Sequence, residues 1–280
     1  MELVFLGTGA GSGVPAFYCK CAVCTEATDN PRCRRTRCAI VLLGAQNLLF
    51  DAPPELSSQL QRTHIDRIDC LFITHAHHDH TAGLGDLEIY ARFHRRDKLP
   101  TIMSSQTREQ LELQHGPLDR WMDVTTMEPG QTLERAGASI SALEVSHASG
   151  SIGFLISHQG CRAAYLPDTG PLPETTKKQL VGVDNLILDC TFRGQNMFPD
   201  DHLSFDQTVQ FGEELQAATL YLTHLSMHYS QPVTSREIEE SIAPYTGRVR
   251  LAYDGLRISL SEADGNAVTA GVPMREVISN

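Results

Sequence analysis

The sequence predicts a layered α/β fold with one site assembled from loops at strand ends. Three observations carry this. Short apolar, β-rich runs alternate with helix-length segments from residue 2 to about residue 260. No repeat, linker or low-complexity segment divides the 280 residues, so one unit over 1–260 is expected, with 261–280 a tail that carries no clear signal. Histidine or aspartate closes the strand-like runs repeatedly, at 75–80, 147, 168 and 224.

Composition narrows the classes. With 41% hydrophobic and 20% charged residues the chain is an ordinary globular one, long enough for a sizeable core. A net charge of −11 argues against a nucleic-acid partner, which usually meets a basic face. No apolar run approaches the roughly 20 residues of a membrane span. Residues 1–7 lack the length and basic start of a signal peptide and read as a first strand. The expected compartment is the cytoplasm, with no membrane partner. There the eight cysteines need a reading other than disulfides.

The elements follow in order. Residues 2–6 run into Gly7-Thr8-Gly9-Ala10-Gly11-Ser12-Gly13. That loop misses the dinucleotide fingerprint, since no helix-forming run follows, and it lacks the Lys-Ser/Thr ending of a nucleotide P-loop. A tight turn needing positive φ is the favoured reading, with close backbone approach to a nearby site as a second role. Cys19, Cys21 and Cys24, in a small insertion over about 15–38, bring three thiolates within reach of one ion. Zinc with one further ligand, a histidine from elsewhere, is the metal reading; three reduced, partly buried cysteines are the alternative. Arg32, Arg34, Arg35 and Arg37 follow, as a phosphate-holding patch or as a solvated turn.

A hairpin is expected at 39–43 and 47–51, closed by Asp51, and Pro53-Pro54 opens a helix to about 62. Cys70-Leu71-Phe72-Ile73 is a buried strand by its continuous apolar run. From its end hangs a loop, Thr74-His75-Ala76-His77-His78-Asp79-His80. Helices at 85–96 and 105–115 flank a strand at 101–103. Strands fill 124–158, and the one at 139–145 ends in Ser146-His147. A strand at 161–166 ends in Pro167-Asp168, a helix covers about 173–181, and a strand runs over 185–190. His202 precedes a helix over about 204–217, capped by Ser204. The strand 219–223 ends at His224, a helix runs from Pro232-Val233-Thr234 to about 242, and two short strands surround Asp254-Gly255.

Four histidines and an aspartate within six residues serve neither a core nor an ordinary solvated loop. Imidazole and carboxylate are ligands that divalent metals prefer. With His147, Asp168 and His224 downstream, His75-x-His77-x-Asp79-His80 resembles the metallo-β-lactamase-fold hydrolases, over nearly the whole chain. Within them the cysteine insertion, Leu166-Pro167-Asp168-Thr169, Leu222-Thr223-His224-Leu225-Ser226 and Asp254-Gly255 look like the PhnP group. Those are phosphoribosyl cyclic phosphate phosphodiesterases of phosphonate breakdown.

The resemblance implies an α+β fold, a four-layer αββα sandwich. It implies two divalent metal ions, manganese or zinc. His75, His77 and His147 would hold one, Asp79, His80 and His224 the other, with Asp168 bridging. It implies a structural zinc on Cys19, Cys21 and Cys24. The histidine that completes that zinc in the group falls at Met227 here, and His228, one residue on, is taken as the fourth ligand. Asp51 matches a position that braces the histidine loop through hydrogen bonds, a plain strand-end turn being the alternative. His202 matches a histidine near the metals and is placed with Asp79 among the catalytic residues. It would protonate the leaving alkoxide or steady the phosphoryl oxygens, a surface place at the helix entry being the alternative. His78 fills a variable position and reads as outward.

The implied activity is hydrolysis of a small phosphodiester, a cyclic ribose phosphate, through a hydroxide shared by the two metals. A homodimer is implied as well. Three other readings stay open: a tRNA-processing endonuclease, which would want a basic RNA-binding arm; a lactonase or thiolesterase; and a non-catalytic binding protein of cofactor biosynthesis.

Overall fold

The computed structural model describes residues 1–228, 231–245 and 247–261; the expected tail lies, past residue 261, outside the described residues. The first part of the chain gives β1 (Glu2–Gly7), α1 (Ala22–Asp29), β2 (Ala39–Leu43), β3 (Leu48–Phe50), α2 (Leu56–Thr63) and β4 (Cys70–Phe72). Next come α3 (His78–Thr81), α4 (Leu84–Ile89), β5 (Leu99–Met103), α5 (Ser105–His115) and β6 (Met122–Thr126). The second part gives β7 (Thr132–Arg135), β8 (Ala138–Glu144), β9 (Ile152–His158), β10 (Cys161–Leu166), α6 (Glu174–Leu180) and β11 (Asn185–Asp189). Then follow α7 (Phe205–Glu214), β12 (Thr219–Thr223), α8 (Ser235–Ile242), β13 (Val249–Leu251) and β14 (Arg257–Ser259).

Two seven-stranded sheets form, in the orders β14-β1-β2-β3-β4-β5-β6 and β13-β12-β11-β10-β9-β8-β7. Each strand inside a sheet has to bury both faces, which is why the runs look continuously apolar. In β1, Leu3 and Phe5 enter the core between the sheets, while Val4 and Leu6 face the helices outside. In β11 and β12, Ile187 and Tyr221 face inward, while Leu186, Leu188, Leu220 and Leu222 face α6, α7 and α8. The result is helix, sheet, sheet, helix: the four-layer αββα sandwich. Among the described residues no helix is long and apolar enough to cross a membrane.

The local signals hold where they had a mechanism. Ser204 caps α7 and pairs reciprocally with Gln207, and Thr234 does the same with Glu237 at α8. Four readings need correction. α2 starts at Leu56, not at the prolines, because the residue before Pro54 is driven out of the helical region. The expected helix over 85–96 is α4 followed by a π-turn, Tyr90–Arg95. A helix, α1, occupies the cysteine insertion. The glycine loop serves close approach more than positive φ: a Cβ on Gly7 would fall 2.0 Å from the Arg37 carbonyl oxygen, and only Gly13 of the loop has positive φ.

The arginine cluster is neither a single phosphate patch nor wholly a solvated turn. Arg35 is buried and donates to Thr8 Oγ1 (3.0 Å), Ser235 Oγ (3.3 Å) and the Ala252 carbonyl. Arg37 pairs with Glu55 and donates to the Gly11 carbonyl at 3.0 Å.

Phe154, fully buried, sits between the sheets with ring centroids 5.4 Å from Phe50 and 5.5 Å from Phe72. Phe154→Ala should cost about 3–5 kcal/mol, read as a lower urea midpoint at unchanged slope. A loss below about 1 kcal/mol would remove this ring from the centre of the core.

Candidate metal centre

β3, β4 and β5 run parallel in one sheet, and β10, β11 and β12 run parallel in the other. The residues just past their carboxyl ends are released from the ladder and can turn polar groups toward a common edge. There β3 delivers Asp51, β4 delivers Thr74 and His75, β10 delivers Asp168, β11 ends on Asp189, and β12 delivers His224. The link from the second sheet to the first at this edge is direct: Ile152 N donates to Thr74 O at 2.9 Å.

Asp51 is the anchor of the histidine segment. It is fully buried, in the left-handed region at φ 66°, and its carboxylate accepts from Thr74 N (2.8 Å) and Thr74 Oγ1 (2.9 Å). His80 Nδ1 lies 2.9 Å from the same carboxylate, which commits that nitrogen as the donor and leaves Nε2 bare toward the site. The expectation of a simple loop is revised: the chain turns helical at His78, forming α3, with Thr81 Oγ1 donating to His77 O at 2.8 Å. This turn buries His75 and His80 and leaves His78 exposed, facing away as expected.

Two donor groups result, each with ligand atoms within 4.8 Å of one another: His75, His77, His147 and Asp168, and Asp79, His80, Asp168 and His224. His77 Nδ1 lies 2.9 Å from His75 Nε2 and 3.1 Å from His147 Nε2. Asp168 belongs to both groups, with Oδ2 2.9 Å from His80 Nε2 and Oδ1 2.9 Å from His224 Nδ1. His224 Nε2 lies 3.5 Å from Asp79 Oδ2.

The electrostatics suit a cation. Burial pushes His75 down to about 3 and lowers His77, so both rings are neutral with lone pairs available. Burial opposes the charged ring of His224, yet Asp168 outweighs it and lifts the ring to about 10, so a cation binding here would displace that proton. Burial likewise opposes ionised Asp79 and Asp168, but His80 and His224 hold both below the usual carboxylate range. His80 Nε2 and Asp168 Oδ1 are buried and, despite neighbours at 2.9 Å, neither makes an aligned hydrogen bond. Such orphaned atoms are costly, and a cation beside them would engage both. The mixed nitrogen and oxygen set fits zinc or manganese alike.

His202 is no surface residue. Its ring stacks on His224 at 5.5 Å and lies 5.0 Å from His147. Its Nδ1 is 2.8 Å from Oδ2 of Asp189, which is fully buried and accepts also from Thr191 N at 2.8 Å and Leu203 N at 3.2 Å. Burial disfavours charge on His202, but Asp189 prevails and raises the ring above its ordinary value. From the sequence Asp189 reads only as part of the strand over 185–190. The signal that could have found it is the one that marked Asp51 and Asp168, an apolar run closing in aspartate. Thr74 and Thr191 were missed too. Their hydroxyls lie 2.9 Å from His75 Nδ1 and 2.8 Å from His224 Nδ1.

The cysteine insertion makes a second group, Cys19, Cys24 and His228, with ligand atoms within 4.8 Å of one another. Cys21 falls outside that mutual group, although its thiol hydrogen-bonds with both Cys19 and Cys24. Hydrogen bonding from the Cys21 backbone lowers the Cys19 thiol, and burial pushes Cys24 up to about 12. His228 lies 2.7 Å through Nε2 from Ser12 Oγ, so the glycine loop touches both groups: a Cβ on Gly11 would stand 3.2 Å from Asp79 Oδ2.

The sequence model of the beta-lactamase superfamily domain matches residues 46–225. Among relatives, an octanoyltransferase of Porphyromonas gingivalis is 24% identical over 272 residues, which cover 94% of this chain and 52% of that protein. The chain thus spans about half the length of that relative. Among solved structures, a diphosphatase of the PhnP family superposes with a TM-score of 0.80 at 27% identity, over 92% of this chain and 97% of that one. Zinc-bound PqqB of Methylobacterium extorquens shares the fold, with a TM-score of 0.78 at 20% identity over 93% and 100% of the two chains.

Two outcomes are expected. Asp51→Asn should weaken metal binding at the histidine site about 10- to 100-fold in a chelator competition, because His80 loses the acceptor that orients it. Parent-like affinity in the variant would separate Asp51 from the site. Cys24→Ser should lower zinc per chain and the melting temperature, with the histidine site still loading metal; undiminished zinc would show that the thiols hold none.

Proposed function

The chain belongs to the β-lactamase superfamily, and on that premise we propose that it is a metal-dependent phosphodiesterase. Its substrate would be a small, cyclic ribose-type phosphodiester. The observation that supports this most is His202, a histidine outside the two four-residue donor groups that share Asp168, yet stacked on His224 and clustered with Asp168, Asp189 and His224, with its Nδ1 fixed by Asp189. Phosphodiester cleavage needs a proton for the departing alkoxide, which a ring in this place can supply.

Two divalent ions, held by His75, His77 and His147 on one side and by Asp79, His80 and His224 on the other with Asp168 between, would supply Lewis acidity and a nucleophile at neutral pH. The protein's own part is orientation. Thr74 holds His75, Asp51 holds His80, and the Asp201 carbonyl, 2.9 Å from Nδ1, holds His147. Each of these fixes one ring nitrogen so that the other points inward. Asp189 occupies His202 Nδ1, so Nε2 is the nitrogen that can meet a leaving oxygen. Its negative charge beside the ring favours the protonated form that an acid requires. Gly11 leaves the space beside Asp79 open for a phosphoryl group, where a side chain would stand 3.2 Å from the carboxylate. Likeness to a PhnP-family diphosphatase supports a phosphoryl substrate over a lactone or thioester. The net charge of −11 weighs against RNA.

One substrate panel of cyclic phosphates, lactones and thioesters, run with metal content measured on the same sample, checks the reading. Turnover is expected on the phosphodiesters. His80→Ala should abolish it in a folded chain, and full activity there would sink the two-metal arrangement. His202→Ala should lower kcat by about 10²–10⁴ while metal content stays at the parent level; a change confined to KM would move His202 from proton transfer to binding.

A further inference from the structure

The segment between β11 and α7 carries more than His202. Asn196 pins it at two points, its Oδ1 accepting from Phe198 N at 2.9 Å and its Nδ2 donating to His202 O at 2.7 Å. The Phe198 carbonyl accepts from Asp201 N (3.1 Å) and His202 N (2.9 Å). The segment packs so tightly against Gly170 that a Cβ there would fall 2.1 Å from Asp200 O. Its Asp201 carbonyl holds the His147 ring. A segment tied this closely has little freedom left to lose when something binds to it.

On this fixed segment Phe198 is 54% exposed and Met197 48% exposed. Phe192 lies behind, its ring centroid 6.2 Å from Phe198 and 6.1 Å from His202. A single buried ring thus separates the exposed Phe198 from the histidine proposed to meet the leaving group. The His202 side chain itself keeps 17% of its surface open to solvent. An apolar ring held rigidly in water, beside the group that serves the leaving oxygen, has the chemistry of a stacking platform.

We infer that Phe198 is a specificity-determining residue that receives a flat aromatic group on the departing alcohol. The site would thereby prefer phosphodiesters carrying a nucleobase or aryl ring to those of a bare sugar or glycol. The inference rests on the phosphodiesterase reading above. It goes beyond it in naming the part of the substrate that is recognised and the residue that recognises it. Base stacking on one aromatic side chain tolerates any base, so selectivity among the bases should be small beside selectivity for having one.

The test compares the metal-loaded full chain with Phe198→Ala and Phe198→Trp on two probes, adenosine 2′,3′-cyclic phosphate and ethylene glycol cyclic phosphate. The readout is the ratio of their kcat/KM values. The wild type should favour the adenosine probe, Phe198→Ala should lower the ratio about tenfold or more, and Phe198→Trp should restore it. Equal losses on both probes would make Phe198 a support of the segment and overturn the inference. So would an unchanged ratio. A wild type that cleaves neither probe with its metals bound would sink the phosphodiesterase reading, and this inference with it. That failure shows in the parent protein alone, before any variant is compared.

Discussion

The Asp168 carboxylate lies 2.9 Å from both His80 and His224 and 3.3 Å from His75, almost fully buried where the two sheets meet at one edge. A charge in that place is tolerable only with several partners of opposite or complementary character around it. Those partners come from β4 and α3 in the first sheet's half and from β12 in the second. The carboxylate therefore requires both halves of the sandwich to be in register. The inter-sheet core of Phe50, Phe72, Phe154 and Tyr165 sets that register a few residues deeper. Tyr165 joins the two levels, its hydroxyl donating to Asp51 Oδ2 at 3.3 Å.

A second dependence runs through residues 224–228. His224 and Met227 both have positive φ, at 54° and 49°, which swings His224 toward Asp168 and His228 toward Cys19 and Cys24. Non-glycine residues hold such angles only where surroundings impose them. Here Ala10 N donates to Leu225 O, Leu225 N donates to Thr8 O, and Ser226 Oγ donates to Thr191 O. Arg35 Nε lies 2.9 Å from Met227 Sδ. The glycine loop and Arg35 are thus framework for one short segment that serves both groups of donors. This also gives Arg35 its role, one that composition and charge pattern left open.

How much was legible depends on the kind of signal. Strands buried on two faces show as unbroken apolar runs, and Cys70-Leu71-Phe72-Ile73 and Leu186-Ile187-Leu188 were readable for that reason. Capping at Ser204 is a bond between neighbours in sequence, so it was readable as well. Helix α1 was hidden because Cys24 inside it and Cys21 at its cap read as metal ligands, and metal spacing overshadowed helical periodicity. Asp189 was hidden because one aspartate at a strand end looks like any turn until His202 is found against it.

The sequence by itself determined the donor inventory: His75, His77, Asp79 and His80 are close in the chain, and no fold could scatter them far. It determined as well that the remaining donors stand at strand ends, because the apolar runs stop just before them. The family resemblance already implied that Asp168 lies between the two donor groups; only the tertiary structure decided that Asp189 holds His202 and that Cys21 stands beside its group and not fully within it. Each of those depends on where two distant strands end in space. Register between sheets is set by side-chain packing across the core, which no local spacing records.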